Sequence, residues 1–267
     1  MEMNRLQVNR YYLKMDARAR IARSKPNALV VGMILVAAYL LLEMLIPGVL
    51  GLSNIPIELP EQITSYDAYM AAMEKVSEQM EAFLRAYRPS AIAVVIAAAL
   101  LLMHKLLEIG YSIYALHISR DEKAEYENLL DAFPIFGRLF VLLLMQWAII
   151  LVFSALLIVP GLIFAYRYRQ AIYLLVEHPE YSPVRCLKES GRIMRGHKAE
   201  LFMVDLSFLG WILAQNLLPV VSVLIAMWVI PYRSITYSNY YCCVAGPRKT
   251  PDGKPITDAS FTDLPDA

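Results

Sequence analysis

Runs of about 20 consecutive apolar residues constrain this sequence most, because that is the length of helix needed to cross the hydrocarbon of a bilayer. Five such runs are present, at residues 27–47, 90–109, 135–159, 200–218 and 220–244. Of the 267 residues, 58% are hydrophobic and 18% are charged. Soluble domains carry about 25% charged residues. The sequence therefore predicts an all-α, polytopic integral membrane protein built as a helical bundle.

The charges between these runs predict how the chain is threaded through the membrane, since cytoplasmic loops carry an excess of Lys and Arg. Seven basic residues precede the first run, so the N-terminus is predicted to be cytoplasmic. Residues 51–89 carry three basic residues against six acidic ones, which predicts an outer loop. Residues 178–198 carry five basic residues and are predicted to lie inside.

A further crossing over residues 161–177 is needed to reconcile these loops. The run 135–159 starts inside and ends outside, so the chain must cross again before residue 178. The prediction is about six transmembrane helices with both termini cytoplasmic, with Pro160–Gly161 as a tight outer turn. Pro219 is interpreted in the same way between the last two helices. The alternative of five helices leaves the basic segment outside and breaks the charge rule.

The outer loop contains a segment, residues 66–88, whose apolar residues recur at helical spacing. Tyr66, Met73 and Met80 form one row and Tyr69 and Val76 belong to the neighbouring one, while acidic residues lie off this stripe. The pattern predicts an extracytoplasmic amphipathic helix. Two interpretations stay open: the helix covers the outer surface of the bundle, or it docks a protein partner.

Two basic segments are predicted on the cytoplasmic side. Residues 1–26 form an amphipathic segment with an apolar stripe, and residues 182–196 form a basic helix that begins at Ser182 as N-cap with Pro183 in its first turn. Such helices are attracted to the anionic headgroups of membrane lipids. The stripe of the first segment is predicted to face the membrane, and consists of Leu6, Leu13, Ala17 and Ile21. The tail, residues 245–267, is predicted to be disordered and cytoplasmic.

Charged residues inside the apolar runs are the candidate functional residues, because each is costly in hydrocarbon. Depths estimated from the helical rise place Arg169, Asp205 and Arg233 near one another. Arg167 and Arg169 lie about 200° apart around a helix, so Arg167 is predicted to face another neighbour, with Glu43 as its carboxylate, or to snorkel outward to the membrane surface. Such a polar cluster either fixes helix packing or lines a path for a small anion.

Other classes of function are poorly supported. The formal net charge of +1 argues against nucleic-acid binding. No catalytic motif and no metal or cofactor signature is recognised, so no catalytic, cofactor-binding or metal-ligating residue is predicted. The histidines lack the spacing of a metal site. Three cysteines, Cys186, Cys242 and Cys243, are interpreted as reduced thiols.

The stretches "IVPGLIFAYRYRQ", "ESGRIMRGHKAELFMVDLSFLGW" and "PYRSITYSNYY" resemble a bacterial family of multi-pass membrane proteins, known as domain of unknown function 975. The resemblance covers most of residues 107–243 and excludes the outer loop. It implies a membrane-embedded helical protein and supplies no catalytic residues. The positions that carry it include Pro160, Gly161, Tyr166, Pro179, Ser190, Met194, Gly196, His197, Lys198, Leu206, Ser207, Phe208, Gly210, Trp211, Pro231 and Tyr232.

Three hypotheses for the function follow. The first is a non-enzymatic scaffold or partner-binding protein of the bacterial plasma membrane. The second is a transporter or channel for a small anionic solute. The third is a lipid-modifying membrane enzyme, which would need a titratable pair in an open site at the level of the lipid headgroups.

Overall fold

The computed structural model of the protein describes residues 10–52, 65–217 and 221–246. Within these ranges the regular structure is helical and contains no strand, which confirms the all-α prediction. A short 3₁₀ helix spans Tyr126–Leu130. The α-helices are α1 (Arg10–Arg23), α2 (Ala28–Leu50), α3 (Tyr66–Ala86), α4 (Ala91–Ser119), α5 (Phe136–Leu156), α6 (Ile158–Tyr168), α7 (Ala171–Glu177), α8 (Pro183–Ile193), α9 (Lys198–Leu206), α10 (Leu209–Leu217) and α11 (Ser222–Ala245).

Three of the described helices are long and apolar enough to cross a membrane. They are α2, α4 and α5, with 23, 29 and 21 residues and mean hydropathies of 2.6, 2.2 and 2.6. They overlap the first three apolar runs of the sequence, and α4 continues ten residues beyond the predicted end at residue 109. Many of their apolar side chains are exposed, among them Trp147 and Leu151 of α5. Surfaces of this kind suit contact with lipid rather than with water.

The structure differs from the sequence prediction over two of the other crossings. The stretch 161–177 is interrupted at Arg169–Gln170, between α6 and α7, and the stretch 200–218 is interrupted at Ser207–Phe208, between α9 and α10. The last helix, α11, runs unbroken through 24 residues although it contains Pro231. The number of six crossings stays a prediction. Pro219 and the tail beyond residue 246 lie outside the described residues.

The turn between α5 and α6 lies at Leu157, which adopts an extended backbone, and not at Pro160–Gly161. Pro160 instead stands in the first turn of α6, where the missing N–H costs no intrahelical hydrogen bond. Gly161 allows α6 to approach α5 closely, because a Cβ at this position would lie 1.9 Å from Oγ and 2.8 Å from Cα of Ser154.

Gly161→Ala is therefore expected to destabilise the protein by about 1–3 kcal/mol, the usual cost of overpacking. Gly137→Ala in α5 is the matched control, because a Cβ there meets no atom within 4 Å. Thermal unfolding of both variants in the same detergent measures the difference. An equal melting temperature for the two variants would show that the α5–α6 contact is looser than described.

The chain divides into two compact units, Met1–Val36 with Leu106–Ala267, and Ala37–Lys105. The smaller unit holds most of α2, the whole of α3 and the first half of α4. Ser65 caps α3 by accepting a hydrogen bond from the Ala68 N–H at 3.2 Å. Tyr87, after α3, donates to the Leu50 carbonyl at 2.9 Å. The apolar stripe of α3 is largely uncovered, with Tyr66, Tyr69 and Met73 among its exposed members.

In the larger unit, α1 packs against α11 by its apolar stripe. Leu13, Ala17 and Ile21 are buried inside the protein, so the prediction that they face the membrane is wrong. Asn239 of α11 fixes the contact by donating to Asp16 at 2.9 Å. The spacing of the stripe shows that one face of α1 is covered, but it does not distinguish lipid from a neighbouring helix. Leu6 lies outside the described residues.

Buried tyrosines hold the interior of the larger unit together. The Tyr111 hydroxyl donates to the Ala28 carbonyl at 3.0 Å, the Tyr114 hydroxyl to the Pro26 carbonyl at 2.7 Å, and the Tyr240 hydroxyl to the His197 carbonyl at 2.7 Å. These carbonyls lie at the beginnings of α2 and α9. The rings therefore fill the core while their buried hydroxyls find hydrogen-bond acceptors at the beginnings of helices.

The basic helix begins as predicted. The Ser182 side chain accepts a hydrogen bond from the Arg185 N–H at 3.3 Å, and Pro183 occupies the first turn. The inner face of α8 is small and apolar, and includes Cys186, Ser190 and Gly191. Burial raises the pKa of the Cys186 thiol to about 11, so this group is a poor nucleophile near neutral pH.

Candidate functional site

The candidate site is a polar cluster where two interrupted helices meet α11. At the first interruption, the Gln146 side chain of α5 donates to the Tyr168 carbonyl at 2.7 Å. This bond satisfies a carbonyl at the end of α6, and the chain then turns through Arg169 and Gln170 into α7. A side chain from a neighbouring helix thereby compensates the interruption.

At the second interruption, backbone carbonyls accept hydrogen bonds from a local side chain and from a side chain of α1. The Ser207 hydroxyl donates to the Val204 carbonyl at 2.5 Å, and the Lys14 ammonium of α1 donates to the Ser207 carbonyl at 3.0 Å. Phe208, the next residue, is fully buried. The helix thus ends where a hydroxyl and an ammonium supply alternative partners to its backbone.

Asp205 is the centre of the cluster and precedes this second interruption. Its Oδ2 accepts hydrogen bonds from the Tyr166 hydroxyl at 2.7 Å and from Arg169 Nη1 at 3.2 Å. Its Oδ1 accepts from the Tyr237 hydroxyl at 2.6 Å. The Arg169 guanidinium also lies 4.7 Å from the centroid of the Tyr237 ring. One carboxylate therefore ties α6, the α6–α7 break and α11 to α9.

The cluster is shielded but not sealed, since the side chain of Asp205 is 22% exposed and that of Arg169 is 40% exposed. A carboxylate with three donors is well satisfied, and it has neither a nucleophile nor a histidine among those donors. This arrangement suits a structural ion pair better than acid–base chemistry.

The third candidate residue, Arg233, does not join the ion pair. It lies on α11, close enough to Tyr237 to interact with it electrostatically. Among the described residues, no side chain or carbonyl forms a hydrogen bond or ion pair with its guanidinium. The structure therefore brings together Arg169 and Asp205 and leaves Arg233 beside them as a half-buried cation.

Arg167 points to a different neighbour from Arg169. Its carbonyl accepts a hydrogen bond from the Ser190 hydroxyl of α8 at 2.8 Å. Its guanidinium lies so close to Gly191 that a Cβ there would be 2.7 Å from Nε. The rings of Phe164 and Tyr168 flank the same group, each with its centroid 5.7 Å from Cζ. Glu43 belongs to the smaller unit, and its pairing with Arg167 stays a prediction.

A second ion pair, absent from the sequence predictions, is buried more deeply. Arg120, just after α4, binds Glu177 at the end of α7 through two hydrogen bonds of 2.8 and 3.1 Å. The Tyr241 hydroxyl of α11 donates to the same carboxylate at 2.6 Å. Arg120 also donates to the Gly246 carbonyl at 3.0 Å. The pair therefore joins the ends of three helices.

No group of three or more metal-ligating side chains occurs in the part of the chain that the structure describes. The nearest approaches to such a site are single His–Glu pairs: His117 with Glu122 at 2.8 Å, His178 with Glu180 at 3.1 Å and His197 with Glu200 at 2.7 Å. All three pairs lie at helix boundaries and stabilise turns.

These features define an all-helical protein with helices that are long and apolar enough to cross a membrane. Residues 142–247 match the model of a family described as "Protein of unknown function (DUF975)". The match covers less than half of the chain and confirms the resemblance recognised from the sequence motifs. The segment contains Arg169, Glu177, Asp205 and Arg233 but neither α1 nor α3. Comparisons with curated proteins and with solved structures give no match.

Proposed function

We propose that this protein is a multi-pass protein of the bacterial plasma membrane that acts as a non-enzymatic scaffold and binds a protein partner through α3. The observation that carries the proposal is the uncovered apolar stripe of α3. The side chains of Tyr66, Tyr69 and Met73 are 75%, 45% and 50% exposed, and the acidic residues of the helix lie off this stripe. Exposed apolar patches with a polar rim are typical of interaction surfaces, and Met side chains adapt readily to a partner.

Six crossings are part of this proposal. Arg138, in the first turn of α5, donates a hydrogen bond to the carbonyl of Pro179, which follows α7. The path out along α5 and back along α6 and α7 therefore returns to the level at which it began. This return supports a fourth crossing over the interrupted stretch and a cytoplasmic position for α8, as the basic residues of that helix require.

The three hydrogen bonds that the Asp205 carboxylate accepts support a structural role for the polar cluster. A charge inside a membrane protein that exists to fix helix packing is expected to be paired with its neighbours. A charge that carries a solute is expected to have spare hydrogen-bonding capacity. Asp205 has three donors, one of them the Arg169 cation, and so fits the first description.

The test is site-specific photocrosslinking in intact cells with a photoreactive amino acid at Met73. The expected result is a discrete protein adduct, which disappears when Tyr66 and Tyr69 are both changed to Ser. Glu78, exposed and off the stripe, is the matched control position and is expected to give no adduct. Crosslinks from Met73 to lipid alone would mean that α3 lies on the membrane surface, and the scaffold proposal would fail.

Anion transport is the second candidate, and Arg233 is the observation that favours it. A half-buried guanidinium without an ion pair among the described residues is available to an anion. Proteoliposomes loaded with an anion-sensitive dye would show flux that falls at least tenfold in Arg233→Gln. Equal dye signals from protein-containing and empty vesicles would exclude this candidate.

A further inference from the structure

Three cations recur every fourth residue along one side of α1. They are Arg10, Lys14 and Arg18, and they lie beside the apolar stripe that packs against α11. Because that stripe is buried in the protein, α1 cannot insert it into lipid. The basic row, by contrast, is not buried in this contact and is available to an anionic headgroup.

Two of these cations converge on one aromatic ring. Arg18 Cζ lies 5.2 Å and Lys14 Nζ 5.8 Å from the centroid of Tyr232 on α11. Lys14 Nζ is also 4.1 Å from the centroid of Phe208. Phe208 and Tyr232 are themselves buried, whereas the Trp228 ring, whose centroid lies 6.1 Å from that of Tyr232, is 37% exposed.

The charges at this surface are uncompensated. Lys14 and Arg18 form no ion pair with a carboxylate among the described residues, whereas the nearby Arg20 binds both Asp16 and Asp121. Like charges four residues apart in a helix repel each other. Burial, followed by the repulsion of Arg18 and Arg10, lowers the pKa of Lys14. An anion bound between the two cations would attract both of them and so offset the burial of Lys14 and the repulsion between the like charges.

The depth of this surface suits a lipid headgroup. Gly32 lies five residues into the first apolar run, about 7 Å along its helix. It contacts α11 at Pro231, since a Cβ on Gly32 would lie 2.6 Å from Pro231 Cγ. This part of α11 therefore lies near the beginning of α2, which follows α1 in the chain. Trp and Tyr are enriched at the membrane surface, where one end of the ring is apolar and the other is wet.

We propose that Lys14 and Arg18 bind the phosphate of an anionic phospholipid of the cytoplasmic leaflet, with the exposed part of Trp228 against its glycerol region. The exposed apolar side of α11, at Leu224, continues outward from this point and would lie along the acyl chain. The inference requires membrane insertion with α1 inside, but it does not require a protein partner on α3.

The test is native mass spectrometry of the full chain in a non-ionic detergent, titrated with phosphatidylglycerol or with phosphatidylcholine. Wild type is expected to bind phosphatidylglycerol preferentially, and Lys14→Gln with Arg18→Gln to bind it about 30-fold more weakly. Arg18→Lys, which keeps the charge of an exposed side chain, is expected to retain binding. Because Lys14 also holds the Ser207 carbonyl, Arg18→Gln alone is the safeguard against misfolding: it leaves that hydrogen bond intact and is expected to weaken binding about fivefold.

Lys188→Gln with Arg195→Gln removes two exposed cations from the α8 region and is the matched control. This variant is expected to bind phosphatidylglycerol like wild type. Equal losses of affinity for phosphatidylglycerol in the two double variants would show that binding follows the overall charge of the protein, and would overturn the proposed site. Competition by millimolar inorganic phosphate would assign the site to a soluble anion and overturn the lipid assignment.

Discussion

Glu177→Ala is expected to lower the free energy of unfolding by about 3–5 kcal/mol, the cost of breaking a buried ion pair from one side. The side chain of Glu177 is 2% exposed and that of Arg120 is 11% exposed. Removing the carboxylate leaves the Arg120 guanidinium buried with its main partner gone, and it also removes the acceptor of the Tyr241 hydroxyl. Thermal and denaturant unfolding of the purified protein in detergent measures the loss.

Glu81→Ala is the control for this substitution. Glu81 pairs with Arg85 on α3, where the two side chains are 64% and 82% exposed. Exposed pairs contribute about 0–1 kcal/mol, so this variant is expected to unfold nearly like wild type. Replacing both Arg120 and Glu177 by Leu is expected to recover much of the stability, because no charge then stays buried. Equal effects of Glu177→Ala and Glu81→Ala would show that the Arg120–Glu177 pair is open to water.

Asp205→Ala is expected to destabilise the protein by about 2–3 kcal/mol, the range for hydrogen bonds to a charged group. The effect is expected to be smaller than that of Glu177→Ala because Asp205 and Arg169 are more exposed. Three donors lose their acceptor, and the contacts of α9 with α6 and α11 loosen. The same unfolding measurement applies, with Asp67→Ala in the first turn of α3 as a control for an exposed carboxylate.

Two partial variants separate charge from hydrogen bonding at Asp205. Asp205→Asn keeps an acceptor for Tyr166 or Tyr237 but no longer balances Arg169. Tyr237→Phe keeps the charge and removes one donor. Each is expected to lose less stability than Asp205→Ala. A wild-type melting temperature for Asp205→Ala would contradict the structural role of the cluster and favour the anion path.

The long helices could be predicted from the sequence because hydrophobic transfer dominates over about 20 residues. For α2, α4 and α5 the apolar run itself determines the helix. The start of α8 could also be predicted, because the Ser182 N-cap and Pro183 in the first turn determine the backbone conformation of the residues next to them. In these cases the signal and the structure lie within the same few residues.

The interruptions at Arg169–Gln170 and Ser207–Phe208 could not be predicted from the local sequence. Neither dipeptide contains Gly or Pro, and the donors that satisfy the interrupted backbone come from Gln146 and Lys14. Lys14 is 193 residues away from the carbonyl that it binds. Such breaks depend on tertiary contacts, which local propensity does not record.

Pairs of polar side chains could be predicted only where the estimated depth of each residue along its helix limited the possible partners. The estimate of depth brought Arg169 and Asp205 together, and these side chains form an ion pair at 3.2 Å. Arg120 and Glu177 lie at helix ends, where charged residues are common and carry no signal of burial. For α1, periodicity identified the covered face but not what covers it, and α11 covers it rather than lipid.

The most direct test of the account is the sidedness of α3 and α8, because the scaffold surface and the fourth crossing both depend on it. Ser77→Cys on α3 and Lys188→Cys on α8 place thiols at exposed positions, and wild type gives the background of the native cysteines. A membrane-impermeant maleimide applied to intact cells is expected to label Ser77→Cys at once and Lys188→Cys only after lysis. Labelling of both positions before lysis would mean that α6 and α7 do not cross the membrane, and it would contradict the six-helix account.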